Sequence, residues 1–231
     1  IGMFESVDDE NVSRLLFDEA KSWCYKNGFD KLIGPMNLSI NHECGLMVEG
    51  FDLPPMLGIP YNPDYYEKHF LEWGFDKSKD LVSFKLDLIA IPEYLQNAAK
   101  RLKKRDRFNL RPLDISRFEH ELRIIWDIYN SAWDMNWGFV PMAHKEFIYA
   151  AREMKSFIHP EFCLIAEVKG EPVGFSLALP DINQVLIELD GKLFPFGWAK
   201  FLWKKNKIDT YRVLTLGIKK KFRKLGIDAY M

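Results

Sequence analysis

The sequence predicts an α/β fold of the mixed α+β kind, a twisted sheet flanked by helices. Three observations predict it. Of the 231 residues, 48% are hydrophobic and 15% aromatic, enough to build packed cores. Apolar runs at 162–179 and 211–218 are bounded by turn residues, as strands are. Between and before them lie segments whose apolar residues recur at helical spacing.

The first element, 1–5, reads as the end of a strand. Asp8 or Asp9 then caps a helix over 9–27 by accepting bonds from free N–H groups, and Gly28 stops it. Residues 32–60 are rich in Gly and Pro and predict one or two short strands amid irregular backbone. A second helix fits 63–73, with Pro63 in its first turn and Gly74 ending it. Alternation over 81–88 predicts a strand.

Residues 92–107 predict a helix that ends in a basic run. That run reads as a solvated connector whose cations sit near the negative helix end; contact with phosphate or anionic lipid is the alternative. The domain boundary falls here: 1–90, a helical connector over 91–108, and 109–231. A short strand near 109–115 opens the last part, followed by a long helix carrying Phe118, Leu122, Ile125, Tyr129 and Trp133 on one stripe. A shorter helix covers about 144–156. A hairpin follows, 162–168 turning at Lys169-Gly170-Glu171 into 172–179, and then the strand 211–218.

Charge and composition exclude several classes. With 32 Lys and Arg against 33 Asp and Glu the net charge is -1, so no nucleic-acid partner is expected. No apolar run reaches the ~18 residues of a bilayer span, so no transmembrane segment is expected. Cys24, Cys44 and Cys163 have neither the number nor the spacing of a disulfide framework or zinc site, and no metal is expected. With no leader pattern, a cytoplasmic location is expected. The chain starts at Ile1 and stops at Ala229-Tyr230-Met231 just past a glycine-containing turn, which reads as a piece of a longer protein.

The strongest chemical signal is the strand 211–218 running into Lys219-Lys220-Lys221-Phe222-Arg223-Lys224-Leu225-Gly226-Ile227-Asp228, where a helix is about to begin. A helix start offers unpaired N–H groups and a positive dipole end, Gly226 permits close approach, and Lys221, Arg223 and Lys224 add charge. A pyrophosphate-bearing ligand suits such a loop; a solvated basic turn is the alternative reading.

Strand, two helices, hairpin, strand and basic loop, in that order, resemble the GCN5-related N-acetyltransferase superfamily. The loop is similar to its acetyl-CoA signature, Gln/Arg-x-x-Gly-x-Gly/Ala, with Arg223 and Gly226 matching and Asp228 replacing the small residue. The resemblance implies that acetyl-CoA or another acyl-CoA is the co-substrate. Backbone groups of Leu216, Gly217 and Ile218 would then pair with its pantetheine arm. N–H groups of Arg223, Lys224, Leu225, Gly226, Ile227 and Asp228 would hold its pyrophosphate. Residues 1–90 resemble the second half of such a unit, including Trp73-Gly74-Phe75, but 6–10 are acidic and Phe70 stands where many members carry a tyrosine. The whole is similar to bacterial tandem acetyltransferase-like proteins, through segments such as Gly45-Leu46-Met47-Val48-Glu49-Gly50-Phe51-Asp52 and Asn136-Trp137-Gly138-Phe139-Val140-Pro141-Met142. It implies a degenerate first unit, a CoA-binding second unit, and acetyl transfer to a small-molecule or peptide amine. The alternatives are a non-catalytic CoA-binding module and an aminoacyl-tRNA-dependent transferase. The half-sheets containing 81–88 and 211–218 are further expected to combine into one composite sheet.

A base for such a transfer must lie within hydrogen-bond reach of the amine. Glu167, Asp181 and Asn183 are the candidates, with Asp134 and Asn136 behind them; a surface or capping role is the competing reading for each. His42, Glu43 and Cys44 are adjacent, so their side chains point different ways; His69, His120, His144 and His159 have no partner at a telling spacing, and Cys163 reads as core. The aromatic and lysine-rich stretch 193–205 reads as a helix packed on the sheet with extended lysines, or as a peripheral membrane contact.

Overall fold

A computed structural model describes residues 1–87 and 90–231. The chain divides into two compact units, Ile1–Lys85 and Leu86–Met231. The mixed α+β class is borne out: in the second unit helices flank a four-stranded sheet that is antiparallel throughout.

In the first unit, α1 (Glu10–Lys26) begins where Asp9 accepts the Asn11 N–H at 2.8 Å, and ends at Asn27 with Gly28 in the left-handed region. Helix α2 (Tyr65–Trp73) starts two residues after Pro63 and closes at Gly74, φ 111°. The helices meet through aromatic rings. Phe17, fully buried, stacks on Phe4 at 4.9 Å and meets Phe70 edge-on at 4.7 Å. Phe70 is therefore core, its ring also against Phe75 at 4.9 Å.

The strands expected in this unit do not form. Residues 1–3 run beside 33–37, with the Met36 N–H donating to Ile1 O at 2.9 Å and the Met3 N–H to Asn37 Oδ1 at 2.6 Å. Within 32–60 the pairing reduces to a single bridge, Met36 to Cys44. Residues 81–87 form no strand, and Leu88 lies outside the described residues. A strand needs a neighbour for its N–H and C=O groups, and 81–87 have none among the described residues. Their apolar side chains stand in solvent, Phe84 at 85% exposure. The composite sheet expected from 81–88 and 211–218 has no strand over 81–87 to draw on.

In the second unit, α3 (Glu93–Arg105) precedes β1 (Asn109–Pro112), α4 (Phe118–Trp133), α5 (His144–Met154), β2 (Cys163–Val168) and β3 (Glu171–Pro180). Two short helices follow, α6 (Asn183–Leu186) and α7 (Gly197–Lys204), before β4 (Tyr211–Ile218). The strand order β1-β2-β3-β4 leaves β4 at an edge. The hairpin turns at Lys169 and Gly170, both at positive φ, in register Glu167↔Pro172 to Cys163↔Leu177. One sheet face buries Cys163, Ile165, Phe175 and Leu179 against Leu122, Ile125 and Ile128 of α4 and Ile148 of α5. A smaller cluster joins Ala166, Val173, Ile218 and Ile227. The helix expected after β4 amounts to a 3₁₀ turn, Lys220–Phe222, and one turn closed by the Met231 N–H on Ile227 O at 3.0 Å.

Candidate functional site

Strand β4 and the loop after it form the candidate site. The β3–β4 register runs from Gly174↔Ile218 to Pro180↔Tyr211, but Leu177 pairs Thr215 while Ala178 pairs Val213. Leu214 is thus an extra residue, and such bulges re-aim neighbouring side chains. Thr215 beside it has a buried hydroxyl with no partner among the described residues. From this bulge to the loop, the outer edge of β4 has no partner strand among the described residues.

Leu216, Gly217 and Ile218 occupy that stretch. Gly217 is buried because Trp133, at the end of α4, lies on it; a Cβ there would come within 2.1 Å of the indole. Trp133 continues into Tyr129 at 4.9 Å, and Tyr129 into Phe139 and Phe147 at 6.0 Å each, an aromatic wall beside the strand. Burial, with a smaller contribution from Glu146, pushes the Tyr129 hydroxyl pKa up.

The loop distributes its cations unevenly. Lys219 pairs with Asp127 at 2.7 Å and Lys220 with Asp134 at 2.9 Å. Arg223, though exposed, donates to Ala132 O at 2.6 Å and Ile218 O at 3.2 Å, satisfying carbonyls at the end of α4 and β4. Lys221 rests over the Phe222 ring at 5.2 Å. The main-chain N–H groups of Lys224, Leu225, Gly226, Ile227, Asp228 and Ala229 make no hydrogen bond among the described residues. Gly226 has φ 82°, and a Cβ there would also lie 2.7 Å from Leu102 Cδ2 of α3. Asp228 is exposed and Ile227 fully buried.

The remaining candidates fall elsewhere. Glu167 accepts from Arg111 Nε at 2.7 Å, while the same guanidinium grips the buried Glu121 through two bonds of 2.6 and 3.2 Å. Glu167 is thus the outer carboxylate of an ion triad joining β1, β2 and α4. Asp181 follows β3 at the opposite end; its carboxylate accepts the Asn183 N–H at 3.3 Å, and burial raises its pKa against that bond. Pro172, which faces Glu167, and Asp181, just past the end of β3, are nine positions apart, about 30 Å at strand rise, so one amine cannot meet both. Asp134 is occupied by Lys220.

One arrangement had no signal in the sequence, and another departs from what the sequence suggested. In the first unit, buried His69 shares a 2.7 Å bond between Nδ1 and Ser13 Oγ and lies 3.3 Å through Nε2 from Asp8. Ser13 is 1% exposed and its hydroxyl also meets Ser6 and Asp9 O, so this is a staple between helices rather than a nucleophile. The partners are 56 positions apart, beyond any local pattern. The second concerns 193–205. No residue of α7 is buried, and Lys200 and Lys204 pair with Glu188, correcting the expectation of a helix packed on the sheet with extended lysines. Burial takes the Cys163 thiol up to about 12, in keeping with a core role. Among the described residues no cluster suits a metal ion, and no helix is long and apolar enough to cross a membrane.

No protein-family model matches the chain. It is 39% identical over 225 residues to the bacterial ceramide synthase of Caulobacter vibrioides, covering 96% of this chain and 58% of that protein. It is 36% identical over 229 residues to protein YghO of Escherichia coli, covering 96% of this chain and 57% of that protein. The chain therefore spans little more than half the length of these relatives. Their names overturn the expected activity. Neither is named as an acyl-CoA-dependent acetyltransferase, a CoA-binding module or an aminoacyl-tRNA-dependent transferase, and the one name that states a reaction states ceramide synthesis. Acyl transfer is all that the expectation and that name have in common.

Proposed function

We propose that this chain is part of a lipid-forming acyltransferase of the ceramide synthase kind, joining a fatty acyl group to a long-chain amine. The observation that carries the reading is the 39% identity to a bacterial ceramide synthase along 96% of the chain. The amine nitrogen attacks the acyl carbon, the C–N bond forms as the bond to the donor breaks, and the amine's proton leaves while the leaving atom gains one. On this chain, β4 and its loop hold the donor, in line with the resemblance of 109–231 to the GCN5-related fold. The open edge at Leu216, Gly217 and Ile218 supports an extended arm. Free N–H groups from Lys224 to Ala229, with Lys221 and Lys224 beside them, support a phosphate group on the donor. The bulge at Leu214 and the aromatic wall from Trp133 to Phe147 support placing the acyl end there.

The test uses the full-length protein with a long-chain amine and a phosphate-bearing fatty acyl thioester, and product detection by mass spectrometry. Formation of the amide-linked lipid is expected. Replacing both Lys221 and Lys224 by Ala raises the donor KM about tenfold or more, one exposed charge-assisted contact being worth about 1 kcal/mol. Absence of any amide product across chain lengths overturns the reading.

A further inference from the structure

From α7 and the loop before it, we infer a docking surface for an anionic lipid bilayer, formed by Phe194, Phe196, Trp198, Leu202 and Trp203 with a rim of lysines. This goes beyond the reaction proposed above and stands on this surface alone. Phe194 is 84% exposed, Phe196 77%, Trp203 65% and Trp198 52%, a concentration of apolar area that an isolated surface residue does not produce.

The local structure holds these side chains outward. The Trp198 N–H bonds Leu193 O at 3.0 Å and its indole donates to Pro195 O at 2.9 Å, folding 193–198 into a tight knob. At about 100° per residue, Trp198 and Leu202 share one face of α7 and Lys200 and Lys204 the opposite one. Those lysines clamp that opposite face to Glu188, Lys200 also reaching Glu188 O at 2.8 Å. The tethered face is polar, the opposite face carries Trp198 and Leu202, and Trp203 lies between the two, beside the lysines.

Charge selects the occupant. Residues 184–208 hold five lysines against Glu188 and Asp190, a local net of +3 in a chain whose total is -1. Lys192 is exposed but pairs with Asp190 at 3.6 Å, so the cations offered to a headgroup are the exposed Lys205 and Lys207, the latter 4.1 Å over the Trp203 ring. Trp and Phe edged by lysines match the boundary between acyl chains and anionic headgroups, where rings bury and ammonium groups stay at the charged surface. A protein partner or a second copy would have to bury these lysines against carboxylates.

The experiment is co-sedimentation of the full-length protein with phosphatidylcholine vesicles, with and without phosphatidylglycerol, with brominated lipid as a quencher of Trp198 and Trp203. Binding is expected with phosphatidylglycerol, weakening as salt rises. Trp198→Ser with Trp203→Ser weakens it about a hundredfold, and Lys205→Gln with Lys207→Gln about twentyfold. Circular dichroism confirms that these exposed substitutions leave the fold intact. The inference is overturned by no vesicle binding, by equal binding of neutral and anionic vesicles, or by binding that the aromatic variants leave unchanged. Turnover with detergent-dispersed substrate is measured separately, so a failed reaction and a failed docking surface are distinguishable.

Discussion

Replacing Arg111 by Met isolates the energetics of the second unit. Its guanidinium makes two bonds to Glu121, of 2.6 and 3.2 Å, and one of 2.7 Å to Glu167. Glu121 is 2% exposed, so Arg111→Met leaves a buried carboxylate without its cation. Breaking a buried pair in this way costs about 3–5 kcal/mol. The Arg111 side chain is 27% exposed and water reaches it, which places the cost near the lower bound, about 3 kcal/mol. Adding Glu121→Leu removes the stranded charge and brings the double variant back to within about 1 kcal/mol of the parent. Glu167→Gln alone costs about 1 kcal/mol, since Arg111 keeps its two-bond grip on Glu121. With two units the unfolding need not be one transition, so hydrogen exchange of peptides from β1, β2 and α4 under increasing urea reads this unit directly. A cost below about 1 kcal/mol for Arg111→Met, or a double variant no better than it, refutes the reasoning.

Gly226→Ala destabilises the loop by about 1–2 kcal/mol from its positive φ alone. Adding Leu102→Ala relieves the contact with α3 but not that strain, as exchange rates over 219–231 will show. Asp181→Asn reports a pH-linked cost. Burial holds the folded pKa of Asp181 above its unfolded value, so its charge opposes folding at neutral pH, and the cost fades as pH falls through the folded value. The variant therefore has a higher Tm than the parent at pH 7, and the gain shrinks in thermal unfolding at acid pH. Thiol labelling of the native protein near pH 8 modifies Cys24 readily and Cys44, whose pKa burial raises, more slowly. Cys163, with a pKa of about 12, is spared until the protein is denatured, as peptide mass spectrometry would detect.

Elements whose cause is local were legible in the sequence. Asp9, Gly74 and the Lys169-Gly170 turn each act within a few residues, and the helices and hairpin they bound lie close to the positions they mark. The segment 81–88 carries the same alternation as a strand, but strand formation depends on a neighbour that no window of that segment contains. The site was legible as a loop and not as a set of charges. Arg223 reads as a phosphate cation until the end of α4 is placed against it, 91 positions earlier. Glu167 reads as a free carboxylate until β1 brings Arg111 beside it, 56 positions away.

That redistribution changes what the basic loop can contribute. Of five cations between 219 and 224, Lys219, Lys220 and Arg223 are engaged by Asp127, Asp134 and the Ala132 carbonyl, all in α4 or at its end. They fix where the loop runs rather than what it attracts. The hold on a donor phosphate proposed above would then rest on the N–H groups of Lys224 to Ala229, which carry no net charge and are held in place by the fold, with the exposed Lys221 and Lys224 beside them. The same helix ends in Trp133, which lies on Gly217 and walls the strand that leads into this loop. Strand edge, loop path and aromatic wall therefore share one support. A change that shifts the last turn of α4 disturbs all three together, whereas removing Lys221 and Lys224 weakens only the charge.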